Sequence, residues 1–390
     1  MFDTFSLLAL FGVTIVVGYI GYLFFDKTRI PDILWLMMFG IAVGPVLNLV
    51  DRSLFISISP FLAALALMII LFDAGINMEF YQMLRSFSRG VLLAVICMVL
   101  SMGLVAVTAV YFMGFSWING LLLGSILGGT SSAIVITIAK RLHMREQPKM
   151  IVTLESILTD PLVIVVAIVL LNIISHSSSQ INPLQGVLSA FSIGAVIGLI
   201  AGIVWLFVLE KLKGRPFDYM LTIAVLFLLY VFVESASGSG AIGALAFGLV
   251  LGNGRAFSVM LRTKNRTGFG KLLRTFQNEV SFFIRAFFFV YLGIIVSINT
   301  TYIIYGLAIS AVLIIARIIA AQISMYGMKL TGPEKNIIRT MAPRGLAAAV
   351  LAQLPAAYGL PNASVFSDIV FVVILATVIY TTVAMRLLYK

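Results

Sequence analysis

Apolar residues run in stretches of about twenty along nearly the whole chain, separated by short polar connections. At ~1.5 Å per residue a helix of that length crosses a hydrocarbon layer ~30 Å thick. The pattern predicts helical spans at about 5–25, 30–50, 53–76, 90–114, 117–139, 149–174 and 184–209. Six more follow at about 217–233, 236–252, 273–297, 302–326, 336–356 and 363–386, thirteen in all. The first, FSLLALFGVTIVVGYIGYLFF, has no basic region before it and is longer than a signal-peptide core, so it reads as a span.

Composition agrees with the pattern. Hydrophobic residues make up 61% of the 390 and charged residues 11%, with a mean hydropathy of +1.13. These values define an all-α polytopic membrane protein and exclude a soluble domain. The net charge of +11 raises the question of nucleic acid, but the cations sit in short loops between spans rather than on one face, so no nucleic-acid partner is expected. A single cysteine, Cys97, lies within an apolar run, which excludes disulfides within the chain.

The loop cations alternate from side to side. Lys27 and Arg29, Arg85 and Arg89, Lys140 to Lys149, Lys211 to Arg215, Arg255 to Arg274, Lys329 to Arg339, and Arg386 with Lys390 occupy every second loop. They account for 22 of the 26 Lys and Arg, against Arg52 alone on the other side. The positive-inside rule then places the N-terminus outside and the C-terminus in the cytoplasm of a multi-pass cell-membrane protein.

Arg285, Arg317 and Arg344 fall inside spans, as do Asp73, Glu155, Asp160, Glu279 and Asp368. A charge in hydrocarbon costs roughly 2.5–3.5 kcal/mol on insertion scales, so each should face protein or water with a partner. Taken singly, Glu279, Arg317 and Asp368 read as structural ion pairs or interfacial groups. Asp160 lies 11 residues past Lys149, ~16 Å into the layer; Thr130 and Arg344 reach nearly the same depth. Glu155 is shallower, and its side chain is turned roughly 100° from that of Ser156, whereas Ser156 and Asp160 share a face.

Two spans are interrupted at that depth. Gly128-Gly129-Thr130-Ser131-Ser132 breaks the fifth and Pro343-Arg344-Gly345 the twelfth; glycine weakens a helix and proline removes a donor. Non-helical backbone at mid-membrane belongs beside a polar cavity. The broken spans occupy matching positions if two inverted repeats, about 1–175 and 217–390, flank a linking span at 184–209. Crossed discontinuous helices in a single transmembrane domain, 1–390, point to a transporter site.

These residues resemble the monovalent cation/proton antiporters, in particular the prokaryotic sodium/proton exchangers of the NhaP type. The sixth span's ESILTDP is similar to that family's E-S-x-x-N-D-P with Thr159 for the asparagine, and Pro343-Arg344-Gly345 repeats its P-R-G. LFDAGIN places Asp73 where the family has an acidic residue, and IRAFFFVYLG resembles the tenth span. The resemblance implies a secondary active antiporter in which a proton and Na⁺ (or Li⁺ or K⁺) compete for Asp160. It implies that Ser156 and the Thr130 backbone are cation ligands, that Asp73 is an acidic group in the site or at its cytoplasmic mouth, and that Thr159 bears on geometry. Glu155 and Arg344 would form a structural ion pair, with Ser131 and Arg285 as auxiliary residues. No cofactor is implied besides the transported ions; the partners are the bilayer and a second copy in a homodimer.

Among the remaining polar residues, Ser132 and Thr153 read as bonding only their own helices. Pro161 marks a kink, and the glycines of ASGSGAIGALAFGLVLG serve close packing. The alternative with the same architecture is a sodium-coupled symporter of an organic anion. An enzyme is poorly supplied: no G-x-G-D string accompanies Asp160, and both histidines, His143 and His176, lie in loops.

Overall fold

The computed structural model describes residues 4–28, 30–78, 87–141, 145–175, 183–212, 217–260 and 271–388, and all regular structure among them is helical. The chain enters through α1 (Thr4–Thr28) and α2 (Asp32–Ile41), which continues into a π turn, Ala42–Val46. It goes on through α3 (Arg52–Ser57), α4 (Ser59–Asn77), α5 (Phe87–Met113), α6 (Trp117–Ile126), α7 (Ser132–Arg141) and α8 (Glu146–Ser175). Next come α9 (Pro183–Leu212), α10 (Asp218–Ser235), α11 (Gly240–Gly252), α12 (Gly254–Met260) and α13 (Lys271–Ile295). The last are α14 (Thr300–Ser324), α15 (Gly332–Thr340), α16 (Leu346–Leu351), α17 (Leu354–Ala357) and α18 (Ser364–Leu388).

Every apolar stretch of the sequence falls on one of these helices or on a broken succession of them. Among the described residues seven helices, α4, α5, α8, α9, α13, α14 and α18, are long and apolar enough to cross a membrane whole. Boundaries follow local chemistry. Ser116, Ser239 and Asn299 cap α6, α11 and α14 with side-chain oxygens that accept from the first turn. The start of α11 therefore lies a few residues later than hydropathy alone suggests, after a turn in which Ser237 takes φ 57°. Helix α8 runs unbroken through Pro161.

The helices cluster into two compact units. One comprises Met1–Ala63, Ser88–Ser175 and Arg285–Lys390; the other comprises Ala64–Phe87 and His176–Ile284. In the second, Phe72, Trp205, Leu226, Phe247 and Val250 form a buried apolar core. There α9 lies along α11 so closely that a Cβ on Gly198 would meet the backbone of Gly243. In the first, α14 packs along α18, and α6 and α7 both pack on α8. Arg29, Arg85, Lys213, Arg215, Arg262, Lys264, Arg266, Lys390, His143 and His176 lie outside the described residues.

Candidate functional site: two broken helices and a buried carboxylate

Both interruptions are where the sequence places them. Helix α6 stops at Ile126 and α7 begins at Ser132, while α15 stops at Thr340 and α16 begins at Leu346. The freed backbone groups are answered by the facing elements, as burial requires. The Thr130 amide donates to the Thr159 hydroxyl at 3.2 Å, and the Ser131 amide donates to the Pro343 carbonyl at 2.8 Å. The Arg344 amide donates to the Thr377 hydroxyl at 3.1 Å. Arg344 Nη1 in turn reaches the Gly129 carbonyl at 2.5 Å. The two breaks are thus stitched to each other and to α8 and α18. Gly345 is required by this approach: a Cβ there would run into the Ser131 side chain.

Against the crossing lies the polar face of α8, where Glu155, Ser156, Thr159 and Asp160 are all buried. Asp160, 7% exposed, accepts a 2.7 Å hydrogen bond at Oδ2 from the hydroxyl of Ser132, the first residue of α7. The carboxylate therefore sits at the N-terminus of α7, where the helix dipole favours negative charge. Asp160 takes part in no salt bridge among the described residues. Ser156 shares its face, one turn earlier, and donates its hydroxyl hydrogen to the Thr153 carbonyl at 2.9 Å.

Glu155 differs from the sequence expectation. Its Oε1 lies 2.9 Å from Arg317 Nη1, both side chains are fully buried, and the same oxygen accepts from the Thr130 hydroxyl at 2.9 Å. Arg344 is not its ion-pair partner; that guanidinium is engaged by the Gly129 carbonyl. The expectation came from the family resemblance, and a shared motif does not say which neighbouring guanidinium a side chain meets in this packing. Arg317 also donates from Nε to the Ile338 carbonyl at 2.9 Å, tying α14 to the end of α15. Its reading as a structural ion-pair member holds.

Arg285 pairs with Asp32 at 3.4 Å rather than with Asp160, so the structure does not bring it into the site. Ser131 contributes its amide and the close contact with Gly345. Asp73 lies on the part of α4 that belongs to the other unit. Ser132 does not bond only its own helix, as its residue type suggests: its hydroxyl reaches Asp160 on α8, and its place as first residue of the second half-helix, beside a break, is the sequence signal for this. Thr377, which caps the other break, has no such signal in the sequence.

Among the described residues no group of three His, Cys, Asp or Glu could hold a metal ion. What the arrangement offers is one buried carboxylate without an ion-pair partner, hydroxyls, and backbone oxygens at a crossing of two unwound segments. Such hard oxygen donors suit small cations and protons, the combination that broken transporter helices present.

The sodium/hydrogen exchanger transmembrane family matches residues 12–389. The chain belongs to that family, one of membrane transporters rather than enzymes. It is 26% identical over 326 residues to the K⁺/H⁺ antiporter NhaP of Alkalimonas amylolytica, covering 82% of this chain and 55% of that protein. A probable Na⁺/H⁺ antiporter 2 of Methanocaldococcus jannaschii is 27% identical over 306 residues, covering 74% of this chain and 71% of its own length. The chain thus spans about half the length of the Alkalimonas relative. The solved structure of the sodium proton antiporter MjNhaP1 from M. jannaschii at pH 8 superposes with a TM-score of 0.83 at 21% identity, over 98% of this chain and 100% of that one. That likeness establishes a shared fold. None of these relatives is an organic-anion symporter.

Proposed function

We propose that the chain is a secondary antiporter that exchanges a monovalent cation for a proton, the two competing for Asp160. The observation that carries this reading is the position of Asp160, buried at the crossing of two broken helices, held by the Ser132 hydroxyl and, among the described residues, by no cationic side chain. A carboxylate so placed accommodates a proton or a cation and is poorly served by both. Ser156, the Thr130 backbone and Thr159 supply neutral oxygens nearby, while Glu155 and Arg317 brace the frame. Na⁺ is the foremost cargo; the names of the relatives divide between Na⁺ and K⁺, so K⁺ and Li⁺ belong in the test.

The same reading places thirteen crossings in the cell membrane, N-terminus outside and C-terminus cytoplasmic. It takes spans 1–175 and 217–390 as inverted repeats about 184–209, and a homodimer as the assembly. The cation loops carry the orientation.

The test is a pH-sensitive dye in sealed proteoliposomes, with Na⁺, K⁺ and Li⁺ added in turn. Wild type should move protons against at least one cation, and Asp160→Asn should move none while melting at the wild-type temperature. Exchange that survives in Asp160→Asn rejects the assignment.

A further inference from the structure

Helix α7 spans Ser132–Arg141, so Ser132 is its first residue and its amide is one of the donors a helix leaves without an internal partner. The Asp160 carboxylate takes the Ser132 hydroxyl at 2.7 Å. The donor to this buried carboxylate thus comes from the helix facing it rather than from its own.

Glu155, on α8 itself, is paired with Arg317 of α14. Arg344, in the break before α16, gives Nη1 to the Gly129 carbonyl. On α15, Glu334 is held by Arg145, and Arg339 lies on the same helix. Among the described residues none of these groups forms an ion pair with Asp160, and the Ser132 hydroxyl is in direct hydrogen-bond contact with its carboxylate.

A hydroxyl is suited to both halves of an exchange cycle. It donates one hydrogen to an ionised carboxylate and keeps two lone pairs, which can accept from a protonated carboxyl or join the ligands of a cation. An amide can only donate.

We propose that Ser132 is a positioning residue that sets the balance between proton and cation on Asp160. It holds the ionised carboxylate between cargoes and contributes a neutral oxygen beside it. This rests on the exchange reading above. Without the hydroxyl the ionised carboxylate loses a donor, so protons are retained to higher pH and cations compete less well.

The test is cation KM and the pH profile of exchange for the 390-residue chain in proteoliposomes, with Ser132→Ala, Ser132→Thr, Ser132→Pro and Asp160→Asn side by side. Ser132→Ala should raise the KM about tenfold at fixed pH and move the profile up by about one pH unit, the two being the same change in free energy. Ser132→Thr should stay near wild type. Ser132→Pro, which removes the hydroxyl at a helix position that tolerates proline, should move the profile at least as far. A melting temperature accompanies each variant; should Ser132→Ala fail to fold, Ser132→Cys takes its place and should give a smaller shift of the same sign. Wild-type KM and pH profile in Ser132→Ala, or a uniform loss of rate across pH at unchanged KM, overturns the inference. Exchange persisting in Asp160→Asn overturns the function proposal instead, so the two failures are told apart.

Discussion

Glu155 and Arg317 form a fully buried ion pair, Oε1 to Nη1 at 2.9 Å, that joins the sixth apolar span to the eleventh. Glu155 also holds the Thr130 hydroxyl in one helix break, and Arg317 holds the Ile338 carbonyl beside the other. The pair braces both interruptions at once. Removing one partner of a buried pair leaves an uncompensated charge and costs roughly 3–5 kcal/mol, whereas removing both costs less. Glu155→Gln and Arg317→Met should each lower the melting temperature in detergent, and the double variant should be more stable than the sum of the two predicts. A Glu155→Gln/Arg344→Met cycle should show weaker coupling. Coupling equal in the two cycles would argue against Arg317 as the principal partner.

The close approach of the two breaks predicts sensitivity at Gly345. Gly345→Ala forces a methyl into the Ser131 side chain, an overpacking that costs roughly 1–3 kcal/mol. It should depress exchange as well as stability, because Ser131 precedes Ser132 on the same break. Gly12→Ala, in α1 with open space around its Cβ position, is the control and should leave both unchanged. Equal effects at the two sites would remove the crossing as the cause.

One proton for one cation is the expected stoichiometry. Thr159 cannot ionise, Glu155 is committed to Arg317, and arginine keeps its charge at any working pH; on the polar face of α8, Asp160 is left to carry the exchange. A clamp of ~100 mV is worth ~2.3 kcal/mol per net charge moved. The reversal ratio of the ion gradients in clamped vesicles should not move with voltage. A shift would require a second titrating group.

At the start of the twelfth span, just before its apolar run, Arg145 and Glu334 form a two-point contact, Nε to Oε1 at 2.7 Å and Nη2 to Oε2 at 2.5 Å. The Thr331 amide and hydroxyl also donate to Glu334. The Arg145 hydrogen bond, aided by Thr331, holds the Glu334 carboxyl down to about 2 from its ordinary 4.5. A carboxylate whose pKa is depressed on folding stabilises the fold fully above its unfolded value and loses that contribution as pH falls through the folded one. The contribution should therefore be flat at neutral pH and vanish between pH 4.5 and about 2. Melting curves of wild type and Glu334→Gln should converge across that window and stay apart by a constant amount above it. Curves parallel down to acid would remove this contact as a source of acid sensitivity.

Much of the architecture was legible before any coordinates, because hydropathy and the effects of glycine and proline are local. Apolar length marked the helices, and Gly128-Gly129 and Pro343 marked the breaks. The i, i+4 spacing put Ser156 and Asp160 on one face of α8. Rise per residue put Asp160, Thr130 and Arg344 at one depth. None of these quantities says which neighbouring helix a side chain meets. That is settled by helix packing between segments far apart in the chain, and it gave Glu155 to Arg317, Arg344 to the Gly129 carbonyl and Thr377 to the Arg344 amide. Ser132 shows the same division most sharply. As a residue type it favours its own helix, yet the tertiary fold turns the first residue of α7 toward a carboxylate 28 positions away. In a buried interior a donor goes to the acceptor whose desolvation it relieves, and only the packed structure decides which acceptor that is.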